Sequence, residues 1–159
     1  MAERAASGHY LGWVTEGMAE WVKERVEGEY LKRERRCYFY SERSGRLTGS
    51  GCDNPGGFEL YVAARTYDAI QCLRFQPEDL DITPWGSGNS HYGQYKVGPL
   101  AWALMEHDFG IESVVSFWHT DGTIHDRLRA SVDMTMSEWE TYFAENATCE
   151  HLYDYEWLQ

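Results

Sequence analysis

The stretch IESVVSFWH, residues 111–119, followed by Asp121-Gly122, decides which fold class the sequence predicts. It is rich in β-branched and aromatic residues, which are enriched in strands, and Asp-Gly is a common turn between the two strands of a hairpin. We therefore predict a strand over 111–119 and a return strand over 123–132. Two strands joined in this way would lie in an antiparallel sheet.

The segments around this pair predict the remaining elements of an α+β fold. Apolar residues recur at helical spacing from Leu11 to Val26, which predicts a long N-terminal helix over 10–36. Further strands are expected at 37–42, 58–64 and 69–75, and shorter helices at 98–109 and 137–146, the last opened by a capping box from Ser137 to Glu140. The prediction is a single domain over 1–159, with an antiparallel sheet of about four to five strands.

Residues 76–95 (QPEDLDITPWGSGNSHYGQY) predict a long irregular segment, because two prolines and three glycines interrupt any regular pattern. A loop of this length in a compact domain is usually functional, and its first part is acidic. We therefore expect it to contact a partner. The glycine-rich stretch 49–57 also predicts a loop, but it lacks the spacing of a phosphate-binding motif.

The cysteines predict neither a metal site nor a disulfide framework. Cys37, Cys52, Cys72 and Cys149 form no CxxC pair, and no Cys/His spacing matches structural zinc. The first residues contain no hydrophobic run, and no stretch approaches the roughly 20 apolar residues of a membrane helix. We expect reduced thiols, no cofactor and a cytoplasmic location.

The charge of the chain is distributed very unevenly. Residues 1–74 contain eleven basic and eleven acidic side chains, whereas residues 75–159 contain fifteen acids and only Lys96, Arg127 and Arg129, so they carry the whole net charge of −12. Direct contact with nucleic acid is disfavoured, because phosphate contacts need clustered Lys and Arg. Two interpretations stay open: the charge serves solubility, or it attracts a basic partner.

The second interpretation predicts a non-enzymatic acidic protein that inhibits a nucleic-acid-processing complex by occupying its basic groove. In size and charge the chain is similar to small acidic phage and plasmid proteins that inhibit host defence enzymes, such as anti-CRISPR and antirestriction proteins. This resemblance is one of composition and implies a nucleic-acid mimic. Interleaved Tyr153, Tyr155 and Trp157 are expected to add interface area. The candidate binding acids are Glu78, Asp79, Asp81, Glu138, Glu140, Glu145, Glu150, Asp154 and Glu156.

Two other hypotheses remain. His119, Asp121, His125 and Asp126 offer imidazole and carboxylate ligands, so they could form the metal site of a small hydrolase. Against this, Asp-Gly is a turn signal, and the remaining side chains could simply face solvent. The triplet 106–108 (Glu-His-Asp) is not expected to act together, because adjacent residues on a helix point in different directions. A structural or assembly subunit, with copies packed as a homo-oligomer, is the third hypothesis.

Overall fold

A computed structural model describes residues 11–34, 38–41, 46–49 and 55–155, and within them the side chains of 11–29 and 64–155. Three short 3-10 helices lie at Pro77–Asp79, Ser87–Asn89 and Cys149–His151. No described helix combines the length and apolar character needed to cross a lipid bilayer. The α helices are α1 (Gly12–Glu34), α2 (Pro55–Cys72), α3 (Gly93–Lys96), α4 (Gly98–Phe109), α5 (Ile111–His119), α6 (Ile124–Val132) and α7 (Met136–Asn146).

The predicted α+β fold is wrong, because the body of the described chain is helical. β structure among these residues is confined to one antiparallel pair, β1 (Tyr38–Ser41) with β2 (Arg46–Gly49), which includes the strand expected at 37–42. The residues expected to form strands at 58–64 and 69–75 belong instead to α2 or follow its end. No larger sheet exists in this part of the protein.

The two segments predicted to be strands, 111–119 and 123–132, form the helices α5 and α6 instead. In α5 the buried side chains are Ser113, Val114 and Phe117, and they fall on one helical face. In α6 the buried residues are Ile124, Leu128 and Val132, at exact four-residue steps. A short apolar run is compatible with both the two-residue repeat of a strand and the 3.6-residue repeat of a helix. The β-branched composition alone therefore could not distinguish a strand from a buried helix.

Helix ends show where the sequence signals were correct and where they were shifted. The helix predicted at 98–109 is confirmed as α4, which ends at Gly110 with φ of 86°. The capping box of α7 is formed by Thr135 and Glu138, two residues before the expected pair. Thr123 and Asp126 form the same motif at the start of α6, where we had predicted a strand.

The core is built where the predicted N-terminal helix, confirmed as α1, crosses α4. Trp102 donates a hydrogen bond from its indole nitrogen to the carbonyl oxygen of Trp13 at 2.8 Å, and both side chains are fully buried. Phe117 of α5 meets Trp102 edge to face, with 4.9 Å between ring centroids. A cluster of large aromatic rings therefore joins α1, α4 and α5.

The two helices cross at a pair of glycines, and this contact gives a testable prediction. A Cβ atom at Gly17 would lie 2.7 Å from the carbonyl carbon of Gly98, which is fixed backbone. We expect Gly17→Ala to lower the free energy of unfolding by about 1–3 kcal/mol, as measured by urea denaturation. Alanine favours helices by about 1 kcal/mol over glycine, so a stabilised variant would contradict this description of the crossing.

The segment predicted to be irregular, 76–95, contains only short helical turns, and polar contacts hold its central part. The side-chain amide of Asn89 donates to the carbonyl oxygens of Ile82 and Thr83 at 2.8 and 2.7 Å. Its oxygen accepts the backbone N–H of Trp13 at 3.2 Å, so the segment is tied to the start of α1. Trp85 is 83% exposed and Tyr92 is 80% exposed.

The expectation of reduced thiols is wrong for two of the four cysteines. Cys72, at the end of α2, forms a disulfide with Cys149, which is 77 residues later in the sequence. The other two, Cys37 and Cys52, lie outside the described residues. Disulfides persist mainly in oxidising compartments, so the bond does not favour the expected cytoplasmic location.

Candidate functional site

Helix α7 divides its acidic side chains between two opposite faces. Trp139 and Phe143 are fully buried and fix the orientation of the helix against the core. Glu138 and Glu145 are seven residues apart and so share one exposed face, because two helical turns span about 7.2 residues. Glu140 points to the other side and is half-buried. The acids of this helix therefore do not form one continuous patch.

The exposed face of α7 borders an open cleft of about 430 Å³. Arg129 partly offsets the negative charge at one end, with its guanidinium 3.5 Å from a carboxylate oxygen of Asp133. Hydrogen bonds from Thr135, first its backbone N–H and then its hydroxyl, lower the pKa of Glu138, which therefore stays ionised at neutral pH. We call this feature the acidic cleft, and its lining residues are Asp133, Met134, Ser137, Glu138, Thr141, Tyr142 and Glu145.

Glu140 faces the acidic part of the irregular segment. Burial raises the pKa of its carboxyl group, and the nearby charge of Asp81 raises it further. The two sets of acids that were predicted as separate patches therefore approach each other through this pair. A buried carboxyl group next to another acid binds a proton more readily, so Glu140 is a poor candidate for an exposed anionic contact.

Several other predicted binding acids shape the local backbone. Asp79 accepts the backbone N–H of Gln76 at 2.8 Å and Asp81 accepts that of Thr83 at 2.9 Å, so both carboxylates hold turns. Glu78, Glu150 and Asp154 are exposed, whereas Glu156 lies outside the described residues. Glu78 and Asp79 share the 3-10 helix Pro77–Asp79, and none of the described acids in this group lines the acidic cleft.

The aromatic residues of the C-terminal segment are not the exposed hot spots that we expected. Tyr153 is buried, with 7% of its surface exposed. Tyr155 is half-buried and donates from its hydroxyl group to the carbonyl oxygen of Ala69 at 2.8 Å. Trp157 lies outside the described residues. The two described tyrosines thus attach the C-terminal segment to α2.

The four residues of the hypothetical hydrolase site are not brought together as metal ligands. Asp126 accepts hydrogen bonds from the backbone N–H and the hydroxyl of Thr123, at 2.8 and 2.7 Å, and these bonds lower the pKa of its carboxyl group. Asp121, His119 and His125 are exposed around the turn between α5 and α6. Among the residues described, their ligand atoms belong to no converging group.

A different group does converge, at the C-terminal end of α4. His107, Asp108 and His151 each offer one ligand atom, and these atoms all lie within 4.8 Å of one another. The Nδ1 atom of His107 is 2.6 Å from a carboxylate oxygen of Asp108, so these neighbours do interact, contrary to our expectation. The rings of His107 and His151 have centroids 4.4 Å apart. We call these three residues the His-Asp-His cluster.

The electrostatics of this cluster follow from its neighbours. Tyr142 donates from its hydroxyl to the second carboxylate oxygen of Asp108 at 2.6 Å, and this bond is the main cause that lowers the pKa of Asp108. Burial lowers the pKa of His151, and the nearby His107 lowers it further. Tyr142 also lines the acidic cleft, so the two features adjoin.

Sequence reasoning missed this cluster because its third member is 43 positions after Asp108. The only local signal was His151 lying two residues after Cys149, and the pairing of that cysteine cannot be read from spacing. The Cys72–Cys149 disulfide and the 3-10 helix Cys149–His151 place the second imidazole.

Comparison with known proteins adds no further guide to function. No protein-family model matches the chain, and the searches of curated proteins and of solved structures also found no match. The function must therefore be argued from the charges and contacts described above.

Proposed function

We propose that the protein is a non-enzymatic binding protein whose acidic cleft holds a basic segment of a partner protein. The observation that carries this proposal is the convergence of Asp133, Glu138 and Glu145 on one open cleft. Nucleic-acid-binding proteins are the class of partner that best fits, because their grooves are lined with Lys and Arg. By covering the basic residues with which such a partner binds nucleic acid, the protein would act as an inhibitor.

The charge distribution supports this proposal at long range as well as at the cleft. The sequence contains no Lys or Arg after Arg129, so α7 itself carries no lysine or arginine that would offset its own acids. A surface whose charges are mostly of one sign raises the association rate of an oppositely charged partner, and this effect weakens as salt is added. Ion pairs between exposed side chains are individually weak, which favours a reversible complex.

A peptide of nine arginines is a suitable probe of the acidic cleft. In the variant with Glu138→Gln and Glu145→Gln, two negative charges are lost. Glutamine at position 138 still completes the capping box of α7. We expect this variant to bind the peptide roughly three- to tenfold more weakly at low salt. Isothermal titration calorimetry would measure the affinity, and added salt should reduce the difference from the wild-type protein.

The matched control removes the same net charge elsewhere. Glu112 and Asp121 are exposed and do not line the cleft, so the variant with Glu112→Gln and Asp121→Asn should keep most of the affinity. Equal losses in both variants would mean that the peptide responds to net charge alone, which would overturn the cleft as the site. A pull-down with both variants would then test whether a natural partner depends on the same residues.

A further inference from the structure

We propose that the His-Asp-His cluster is a binding site for a divalent transition-metal ion of the zinc class. This site is distinct from the acidic cleft, and the proposal does not depend on the binding function proposed above. Two imidazoles and one carboxylate are the ligands that Zn²⁺, Co²⁺ and Ni²⁺ prefer, whereas Mg²⁺ and Ca²⁺ prefer oxygen ligands alone. Three protein ligands would leave positions open to water or to another molecule.

The spacing of the ligand atoms is close to what such an ion requires. Two ligand atoms of one zinc ion lie roughly 3–3.5 Å apart, since each is about 2.0–2.1 Å from the metal. In the cluster one ligand atom of each residue lies within 4.8 Å of the other two, and Nδ1 of His107 is 2.6 Å from a carboxylate oxygen of Asp108. Rotation of the His107 ring, whose side chain is 61% exposed, can adjust these distances without moving the backbone.

Neighbouring residues hold the other two ligands in place. The Tyr142 hydroxyl bonds one oxygen of Asp108 at 2.6 Å, which leaves the other oxygen directed toward His107. The turn that carries His151 is fixed by the Cys72–Cys149 disulfide. In metal sites a ligating carboxylate is typically oriented by a hydrogen bond of this kind from a neighbouring residue.

The position of the cluster in the fold also favours a cation. His107 and Asp108 lie in the last turn of α4, where the partial negative charge of the helix end attracts positive charge. Glu106, one residue earlier, is paired with Arg25 at 2.8 Å and so does not crowd the cluster with a further unpaired carboxylate. The net charge of the three ligands is negative while both imidazoles are neutral, so a divalent ion is electrostatically complementary.

Two hydrogen bonds oppose metal binding and limit the expected affinity. One joins Nδ1 of His107 to a carboxylate oxygen of Asp108 at 2.6 Å, and it must open before both atoms can bind the ion. The other involves His151. The backbone N–H of Thr148 donates to Nδ1 of His151 at 3.3 Å. A neutral imidazole has one lone pair, so coordination to the metal requires that this bond be given up. At this length the bond is weak, and its loss costs about 1 kcal/mol. We therefore expect an affinity in roughly the micromolar range rather than that of a closed structural site.

Titration of the tag-free full chain with Zn²⁺ tests the proposal by calorimetry and by thermal unfolding. We expect one equivalent to bind and the melting temperature to rise with metal concentration, because the ion binds the folded state. His107→Ala and His151→Ala should each weaken binding at least about tenfold, and Tyr142→Phe should weaken it by roughly tenfold through Asp108. His107 is exposed, so its variant is expected to keep the fold.

His125→Ala is the matched control, because His125 is exposed on α6 and lies outside the cluster. It should bind Zn²⁺ like the wild-type protein. Absence of saturable binding at about a hundred times the expected dissociation constant would overturn the proposal, as would binding that His107→Ala and His151→Ala leave unchanged. The Glu138→Gln and Glu145→Gln variant should bind Zn²⁺ normally, so failure at the acidic cleft can be distinguished from failure here.

Discussion

Replacing Arg65 by methionine is expected to lower the free energy of unfolding by about 3–5 kcal/mol, because it leaves Glu24 buried without its partner. The Arg65 guanidinium donates to the carboxylate of Glu24 at 2.7 Å and to its backbone carbonyl oxygen at 2.5 Å. It also donates to the carbonyl oxygen of Leu152 at 3.3 Å and lies over the ring of Tyr153. One side chain thus connects α1, α2 and the C-terminal segment.

Arg25→Met is the control for loss of an arginine from a surface ion pair. Arg25 is half exposed and pairs with Glu106 at 2.8 Å, so its loss is expected to cost less than about 1 kcal/mol. Urea denaturation of both variants gives the comparison. A cost for Arg65→Met as small as that for Arg25→Met would show that Glu24 does not need the guanidinium.

The pH dependence of the same variant provides a second readout. Burial raises the pKa of Glu24 to about 7 even with Arg65 beside it, and removing the arginine should raise it further. A raised pKa in the folded state means that stability is lost as the pH rises through that pKa. The part of the deficit caused by the Glu24 charge should therefore be largest above the raised pKa of the variant, shrink as the pH falls toward about 7, and be absent at lower pH, where Glu24 is protonated in both folded proteins.

The second large effect is expected from removal of the Cys72–Cys149 disulfide. The bond closes a long loop of 77 residues, so it restricts the unfolded chain considerably. We expect the double variant with Cys72→Ala and Cys149→Ala to be about 2–4 kcal/mol less stable. The free energy of unfolding should also fall more steeply with urea concentration, because the unfolded chain without the link is free to expand and exposes more surface.

The wild-type protein after reduction is the appropriate comparison for this variant. Reduction keeps the sulfur atoms of Cys72 and Cys149 and removes only the covalent link between them. Agreement between the reduced protein and the double variant would assign the loss to the link itself. A double variant as stable as the oxidised protein would contradict the expected constraint.

The sequence predicted the two central helices but not the fold class. Helical spacing of apolar residues marked α1, and Pro99 and Gly110 marked the ends of α4. In contrast, α5 and α6 are each nine residues long, and over such a length a buried helix and a strand share the same composition. Of the signals present, the Thr123–Asp126 capping box was the one that indicated a helix.

The candidate sites were predictable to different degrees. Glu138 and Glu145 were among the predicted acids, and their seven-residue spacing on a helix places them on one face. Glu140 looked equivalent in the sequence, but the fold turns it toward Asp81. The His-Asp-His cluster could not be predicted, because long-range packing and a disulfide bring its members together.

The same disulfide makes the segment from Cys72 to Cys149 a covalent ring that contains five of the described α helices. A free chain of 77 residues could extend to roughly 250–280 Å, whereas the two anchoring Cα atoms stay 5.9 Å apart. A molecular motor pulling on either end of the oxidised chain could straighten only the residues outside the ring. To translocate the rest, it would have to pass a doubled chain through its pore, so the oxidation state of one bond would govern mechanical disassembly.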